Sequence, residues 1–394
     1  MNNEPDHLLV VDDNKVNRML LMRSLEQQGH CVTAAVNGCE ALEVLRASPI
    51  DLVLLDIEMP EMNGYQVLST MKQDRQLRHI PVIMVTAVDE MESTIRCIEM
   101  GAEDYLPKPF NPVLLRARIG ASLEKKHLRD KEQLYLKSLE RELEIGREIQ
   151  AGFLPTELPT APGWEIAASL KSAKEVAGDF YDAFYLESEQ KICLVIADVC
   201  DKGVGAALFM TLFRSLLRFT IEITDTFEDH SSAARLKYAL GLTNNYIANT
   251  HGDTGMFATI FLGLLDPATG TLTYINAGHE CPLVVDTERT CTPLKRTGPA
   301  VGVIADTEFT VREVQLHPGE VFFAFTDGVP DALNSAGDPF GHKRLTALLE
   351  SNTSAGTLLA GLNVILDRYT LGMEQFDDIT LLIVHHLNEA PGPS

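Results

Sequence analysis

A chain of 394 residues is too long for one hydrophobic core, so two domains are expected, and 45% apolar residues with 27 glycines and 19 prolines is ordinary for a globular protein. A formal net charge of −23 repels nucleic acid and argues against direct DNA binding. No apolar run approaches the roughly 20 residues that span a bilayer, the amino terminus has no signal-peptide pattern, and seven cysteines without CxxC spacing point to reduced thiols and a cytoplasmic, membrane-free protein.

In chain order, the first 120 residues alternate strand and helix signals. Leu8–Val11 reads as a strand, followed by a helix from about Asn14 to Gly29, its expected C-cap. Cys31–Ala35 reads as a strand and Gly38–Ala47 as a helix. The strand Leu52–Leu55 leads into the turn cluster Met59-Pro60-Glu61-Met62-Asn63-Gly64. A helix precedes the strand Pro81–Val85, another runs up to Met100-Gly101, and Asp104–Leu106 is a short strand. Asn111-Pro112 has the pattern of an N-cap with proline at the first helical position. Five strands alternating with five helices imply a doubly wound (βα)5 unit around a parallel sheet. Such sheets carry their chemistry beyond the carboxyl ends of the strands. Asp12-Asp13 close the first aliphatic run and Asp56 closes the third. Three carboxylates in one crevice would repel unless a divalent cation sat among them.

Asp12-Asp13, Leu55-Asp56-Ile57-Glu58-Met59-Pro60-Glu61-Met62-Asn63-Gly64, Thr86-Ala87 and Pro107-Lys108-Pro109-Phe110 together resemble the bacterial response-regulator receiver domain, here over residues 1–121. The resemblance implies that Asp56 accepts a phosphoryl group from a histidine kinase or phosphotransfer protein. It also implies Mg2+ held by Asp12, Asp13 and Asp56, with the Glu58 carbonyl as a further ligand. Lys108 would pair with phosphoryl oxygens, Thr86 would hydrogen-bond the new phosphate, and Tyr105 would turn inward behind it. Lys108-Pro109 is expected to be a cis peptide. Singly, Thr86 also reads as a strand-end hydroxyl, Lys108 as a surface charge, Tyr105 as half-buried core and Asp56 as a turn cap.

Residues 122–155 are charge-rich and helical in pattern, with Leu128, Tyr135, Leu139 and Leu143 at spacings of seven and four. This linker reads as a coiled coil joining two copies of the chain, or as a spacer packed on a neighbouring domain. Gly146 and Gln150 are expected to interrupt it, Gly146 as a bend.

A cluster of Pro155, Pro159, Pro162 and Gly163 opens the region 156–388, where strand signals dominate. Trp164–Leu170, Phe180–Leu186 and Lys191–Ala197 come first, then helices over 205–224 and Ala233–Asn249. Thr259–Leu265 and Thr271–Ala277 flank the hairpin turn Asp266–Gly270, and Val321–Thr326 and Ile379–Val384 are late strands. Strands interrupted by helix pairs argue for a sheet sandwich with helices outside, an α/β/β/α arrangement. Residues 389–394 read as a disordered tail.

Ala177-Gly178-Asp179-Phe180-Tyr181-Asp182, Ala197-Asp198-Val199-Cys200-Asp201-Lys202-Gly203, Thr326-Asp327-Gly328 and Phe376-Asp377-Asp378-Ile379-Thr380 resemble the PP2C-type metal-dependent protein phosphatases. More narrowly they are similar to the stage-II-sporulation and sigma-regulation branch, as are the lead-in Glu144–Pro155 and Asn276-Ala277-Gly278-His279. By that resemblance Asp179 and Asp198, the Val199 carbonyl, Asp327 and Asp377 would hold two Mn2+ or Mg2+ ions, which lower the pKa of a bridging water. Asp182, Asp201 and Asp378 read as supporting residues behind the ligands. His279 is expected to stabilise a turn rather than act as a general acid. The branch usually shows Ser-Gly-Lys-Gly where this chain has Cys200-Asp201-Lys202-Gly203, which puts an extra negative charge beside the proposed centre.

The combined expectation is a two-component response regulator in which Asp56 controls a protein serine/threonine phosphatase, acting on the phosphoserine of an anti-sigma antagonist. A different class of function stays open. In RssB-type regulators a receiver–phosphatase fusion serves as an adaptor for a stationary-phase sigma factor, with the phosphatase half a binding surface.

Overall fold

Each aliphatic run of the receiver-like region becomes one parallel strand. The computed structural model describes residues 5–87, 91–223, 231–349 and 354–388, in two units, Met1–Leu139 and Glu140–Ser394. In the first unit β1 (His7–Val11), β2 (Cys31–Ala35), β3 (Leu52–Asp56), β4 (Val82–Ala87) and β5 (Asp104–Lys108) lie in the order β2-β1-β3-β4-β5. The strands are followed in turn by α1 (Lys15–Glu26), α2 (Gly38–Ala47), α3 (Gly64–Gln73), α4 (Met91–Glu99) and α5 (Pro112–Ala151). Helices cover both faces, which is why β1 and β3 are buried at nearly every position rather than at alternate ones. Leu9 and Val11 pack with Ala41, Leu42, Val67 and Leu68, whereas Leu8 and Val10 pack with Leu21, Leu25, Leu115 and Ile119.

Asparagine sets the start of four helices. Asn14, Asn37, Asn63 and Asn111 each accept from a backbone N–H of the first turn, and Asn63 with Gln66 completes a capping box. Such caps contribute about 1 kcal/mol each. Several elements differ from expectation at their ends, among them α1 and β5. α1 stops at Glu26, leaving Gly29 in the following turn with φ of +93°. β5 continues past Leu106 through Pro107, which an edge strand tolerates because the missing N–H faces no partner. The Lys108-Pro109 peptide is cis. α5 is one helix of 40 residues, and neither Gly146 nor Gln150 breaks it. A single glycine costs a helix only about 1 kcal/mol, and glutamine is a good helix former.

In the second unit two antiparallel sheets face each other. One joins β7 (Phe180–Leu186), β8 (Lys191–Val199), β9 (Ala258–Asp266), β10 (Thr271–Ala277) and β13 (Arg312–Gln315) in the order β13-β10-β9-β8-β7. The other joins β6 (Trp164–Lys171), β11 (Leu283–Val285), β12 (Cys291–Pro293), β14 (Val321–Phe325) and β15 (Ile379–His386) in the order β12-β11-β14-β15-β6. α6 (Val204–Ile223) and α7 (Ser232–His251) cover the first sheet, and α8 (Gly341–Leu349) and α9 (Ala355–Tyr369) the second. Alternation along each strand sorts the layers. Ile192, Leu194 and Ile196 of β8 meet Phe322 and Ala324 of β14 between the sheets. Cys193, Val195 and Ala197 face α6 and α7, and Phe323 and Phe325 face α8 and α9.

α6 is long and apolar enough to cross a membrane, although it carries Arg214 and Arg218. Ala206, Met210, Phe213 and Leu217 of that helix lie in the core. The expected tail over residues 389–394, and Thr224 at the end of the first expected helix of this region, lie outside the described residues.

Candidate metal centres

The order of the parallel sheet sets the ends of β1 and β3 side by side, with the chain leaving them toward opposite faces. Asp12 and Asp13 follow β1 and Asp56 ends β3, and one carboxylate oxygen of each lies within 4.8 Å of the others. Asp12 and Asp56 are buried and Asp13 is exposed. The Asn14 N–H donates to Asp12 Oδ1 at 2.8 Å, and Arg18 donates to the carbonyls of Asp12 and Asp13 at 2.6 and 2.9 Å, fixing the turn from behind. Lys108 Nζ stands 2.7 Å from Asp56 Oδ2 and 3.0 Å from Asp12 Oδ2. Burial works to lower the Lys108 pKa, but the two carboxylates prevail and raise it, so the ammonium keeps its charge. Burial also raises the Asp56 carboxyl, against the pull of Lys108.

β4 and β5 bring the other receiver residues in. Asp56 pairs with Val85, one residue before the buried Thr86, and Ala87 pairs with Lys108. Tyr105 is half-buried, with the Arg118 guanidinium 4.7 Å from its ring centroid, and Glu58 is exposed in the turn after β3. That turn folds back so closely that a Cβ on Gly64 would lie 2.2 Å from the Asp56 carbonyl oxygen.

In the second unit, antiparallel pairing assembles the aspartates from four stretches of chain. Phe180 of β7 sits opposite Ala197 of β8, which places Asp179 and Asp198 at one end of that sheet. On the other sheet Phe325 of β14 sits opposite Leu381 of β15, so Asp327 just past β14 and Asp377 just before β15 share an end as well. The carboxylates feel one another across the gap. Burial, then Asp327, Asp377 and Asp378, push Asp198 up to about 7, with a hydrogen bond from Asp179 partly offsetting them. Burial, then Asp377, push Asp327 up to about 6. Burial, then Asp198 and Asp378, hold Asp179 well above the usual carboxylate range. This is the electrostatic mark of crowded anions, and their hard oxygen donors suit divalent Mg2+ or Mn2+. Among the described residues, no other trio of His, Cys, Asp and Glu is drawn as close as the receiver trio, so these aspartates form a wider set.

The surroundings hold that set in place. Thr380 Oγ1 donates to Asp179 Oδ2 at 2.7 Å. Asp378 accepts from the Ala173 and Gly178 N–H groups, each at 2.7 Å, and so shapes the loop before Asp179. A Cβ on Gly178 would lie 3.1 Å from the Val199 carbonyl oxygen, and one on Gly328 would lie 1.9 Å from that of Asp378. Asp201, exposed and at φ of +71°, caps its own turn by accepting from the Lys202 N–H at 2.8 Å. Asp182 turns elsewhere: it is buried against Arg214 at 2.8 Å and Arg218 at 3.3 Å. His279 is buried with Nδ1 2.8 Å from Thr259 Oγ1 of β9, and burial drops its pKa to about 3, so it is neutral near pH 7.

Three residues of the site escaped the sequence reading. Thr380, the second residue of β15, lies two positions past Asp378, a spacing that in extended chain puts both on one side. Lys202 Nζ meets Asp377 Oδ2 at 2.8 Å and lies 3.9 Å from the Phe376 ring centroid. Gln150, expected to interrupt a helix, is buried and bonded to Ala177.

Comparison with known proteins gives two family matches. The model of stage II sporulation protein E (SpoIIE) matches residues 188–387, and that of the response regulator receiver domain matches residues 8–120. Protein IcfG of Synechocystis sp. is 43% identical over 262 residues, which cover 62% of this chain and 41% of that protein. The probable transcriptional regulator ycf27 of Cyanidium caldarium is 39% identical over 124 residues, which cover 32% of this chain and 49% of that protein. The chain therefore spans about half or less of the length of these two relatives. Among solved structures, the SiaA-PP2C domain of Pseudomonas aeruginosa shares the fold, with a TM-score of 0.54 at 22% identity over 64% of this chain and 98% of that one.

Proposed function

Because the chain belongs to the stage II sporulation protein E family, with a response-regulator receiver domain ahead of the matching region, we propose that phosphorylation of Asp56 controls a metal-dependent protein serine/threonine phosphatase. The observation that carries this reading is the strand register, which sets Asp179 and Asp198 at one end of one sheet and Asp327 and Asp377 at one end of the other, with Asp327 and Asp377 both acting to raise the Asp198 pKa. A surface built only for binding has no need of four converging acids.

Asp179, Asp198, Asp327 and Asp377, with the Val199 carbonyl, would hold two Mn2+ or Mg2+ ions. Such ions neutralise phosphoryl charge and lower the pKa of water. The chain supplies the rest. Thr380 orients Asp179, Asp378 fixes the loop that carries it, and Gly178 and Gly328 let neighbouring backbone close in. In the receiver Asp12, Asp13, Asp56 and the Glu58 carbonyl would hold Mg2+. An Asp56 oxygen bonds to phosphorus as the bond to the donor's nitrogen breaks. Lys108 then pairs with phosphoryl oxygen and Thr86 hydrogen-bonds it. The donor is a histidine kinase or phosphotransfer protein in the cytoplasm, and the substrate is phosphoserine on an anti-sigma antagonist.

The test is turnover of a phosphoserine protein by the full chain with Mn2+, with and without acetyl phosphate. Asp198→Asn should lower turnover by more than about a hundredfold. Asp56→Ala should retain basal turnover and lose its response to acetyl phosphate. An Asp198→Asn protein as fast as wild type refutes the reading. Capture of a sigma factor by a wild-type chain that hydrolyses nothing would assign an adaptor in its place.

A further inference from the structure

We infer that Gln150 is a positioning residue for the loop carrying Asp179, an inference that rests on the metal-dependent phosphatase reading. The Ala177 N–H donates to Gln150 Oε1 at 2.9 Å, and Gln150 Nε2 donates to the Ala177 carbonyl at 2.7 Å. One side-chain amide thus engages both backbone groups of one residue, as a neighbouring strand would. Ala177 lies two residues before Asp179, in a segment that belongs to no strand or helix. From the other side the same segment is held by Asp378 through the Ala173 and Gly178 N–H groups. Without Gln150 the loop would keep only its Asp378 side.

The surroundings of Gln150 say that the amide is there for its bonds rather than for packing. Over residues 147–151 of α5 it is the one buried side chain, with Arg147, Glu148, Ile149 and Ala151 exposed. An apolar residue would fill that site at no desolvation cost, whereas a buried amide is costly unless both its donor and its acceptor are paired. Here both are. Asparagine, shorter by one methylene, cannot span the same pair of groups, and glutamate would face the Ala177 carbonyl with a second acceptor.

The experiment uses the intact chain and measures Mn2+ binding directly, by calorimetry or by the electron paramagnetic resonance of free Mn2+, beside phosphatase kinetics and thermal melts. Gln150→Met keeps the volume and removes both bonds. It should weaken Mn2+ binding roughly tenfold or more, with the KM for substrate unchanged at saturating Mn2+. Hydrogen exchange across residues 173–179 should quicken in step, and Gln150→Ala should behave alike. Wild-type Mn2+ affinity in Gln150→Met, or a weakening that merely follows a lower Tm, overturns the inference. If wild type binds Mn2+ and turns over while Gln150→Met matches it, this inference alone fails. If wild type does neither, the phosphatase reading fails first.

Discussion

Asp198 shows what crowding does to a single carboxyl. Its pKa in the folded chain, about 7, lies above the ordinary aspartate value. With divalent ions chelated, the folded state therefore holds this proton more tightly than the unfolded state. The stability that results is present at acid pH and is lost as pH rises toward and through 7. Asp198→Asn has no such loss. In chelator its Tm advantage over wild type should widen between pH 5 and 8, and Mn2+ should cancel it; calorimetry across that range checks this. Gly64 and Gly328 act by absence of a side chain. Gly328→Ala would force a methyl to within 1.9 Å of the Asp378 carbonyl, so it should destabilise by on the order of 3–5 kcal/mol in a denaturant melt. Gly64→Ala should cut the rate of Asp56 labelling by a phosphodonor, because the clash is with Asp56 itself. The aspartates were legible because each ends or begins an aliphatic run. Thr380, Lys202 and Gln150 were not, because each matters through a partner far away in the chain that no local pattern announces.

At the level of elements, periodicity identified most strands and misjudged their ends where proline or glycine intervened. β5 ran through Pro107 because it lies at a sheet edge, and α5 ran through Gly146. The short strands β11, β12 and β13 and the helices α8 and α9 left too little repeating pattern to be placed. Asp182, three residues from Asp179, read as a supporting residue behind the metal ligands. Strand alternation instead sends it toward α6, where Arg214 and Arg218 receive it. Removing it would leave Arg214 buried without its acceptor. Asp182→Ala should therefore cost roughly 3 kcal/mol of stability in a chemical melt while leaving Mn2+ affinity within twofold of wild type. A selective loss of Mn2+ binding would return Asp182 to the site.

For the molecule as a whole, α5 keeps three of the four expected seam residues in solvent: Leu128, Tyr135 and Leu139 are exposed, while Leu143 is half-buried. Their spacing is the seam expected of two helices wound together, and a dimer is the expected state at micromolar concentration. Sedimentation equilibrium should show it, and Leu128→Glu combined with Leu139→Glu should shift the chain to monomer. A monomeric wild type would leave α5 as a spacer. The doubly wound unit was the more legible half, since its strands and helices alternate in sequence as they do in space. The sandwich was harder, because its sheets interleave strands from both ends of the region.

β6 lies beside β15, so the first strand of the sandwich stays unpaired on that side until the last one has been made. Asp377 arrives on the same late stretch. A ribosome halted anywhere before Asp377 holds a nascent chain with at most three of the four acids. Catalysis of the proposed kind would thus switch on only as synthesis of this stretch finishes.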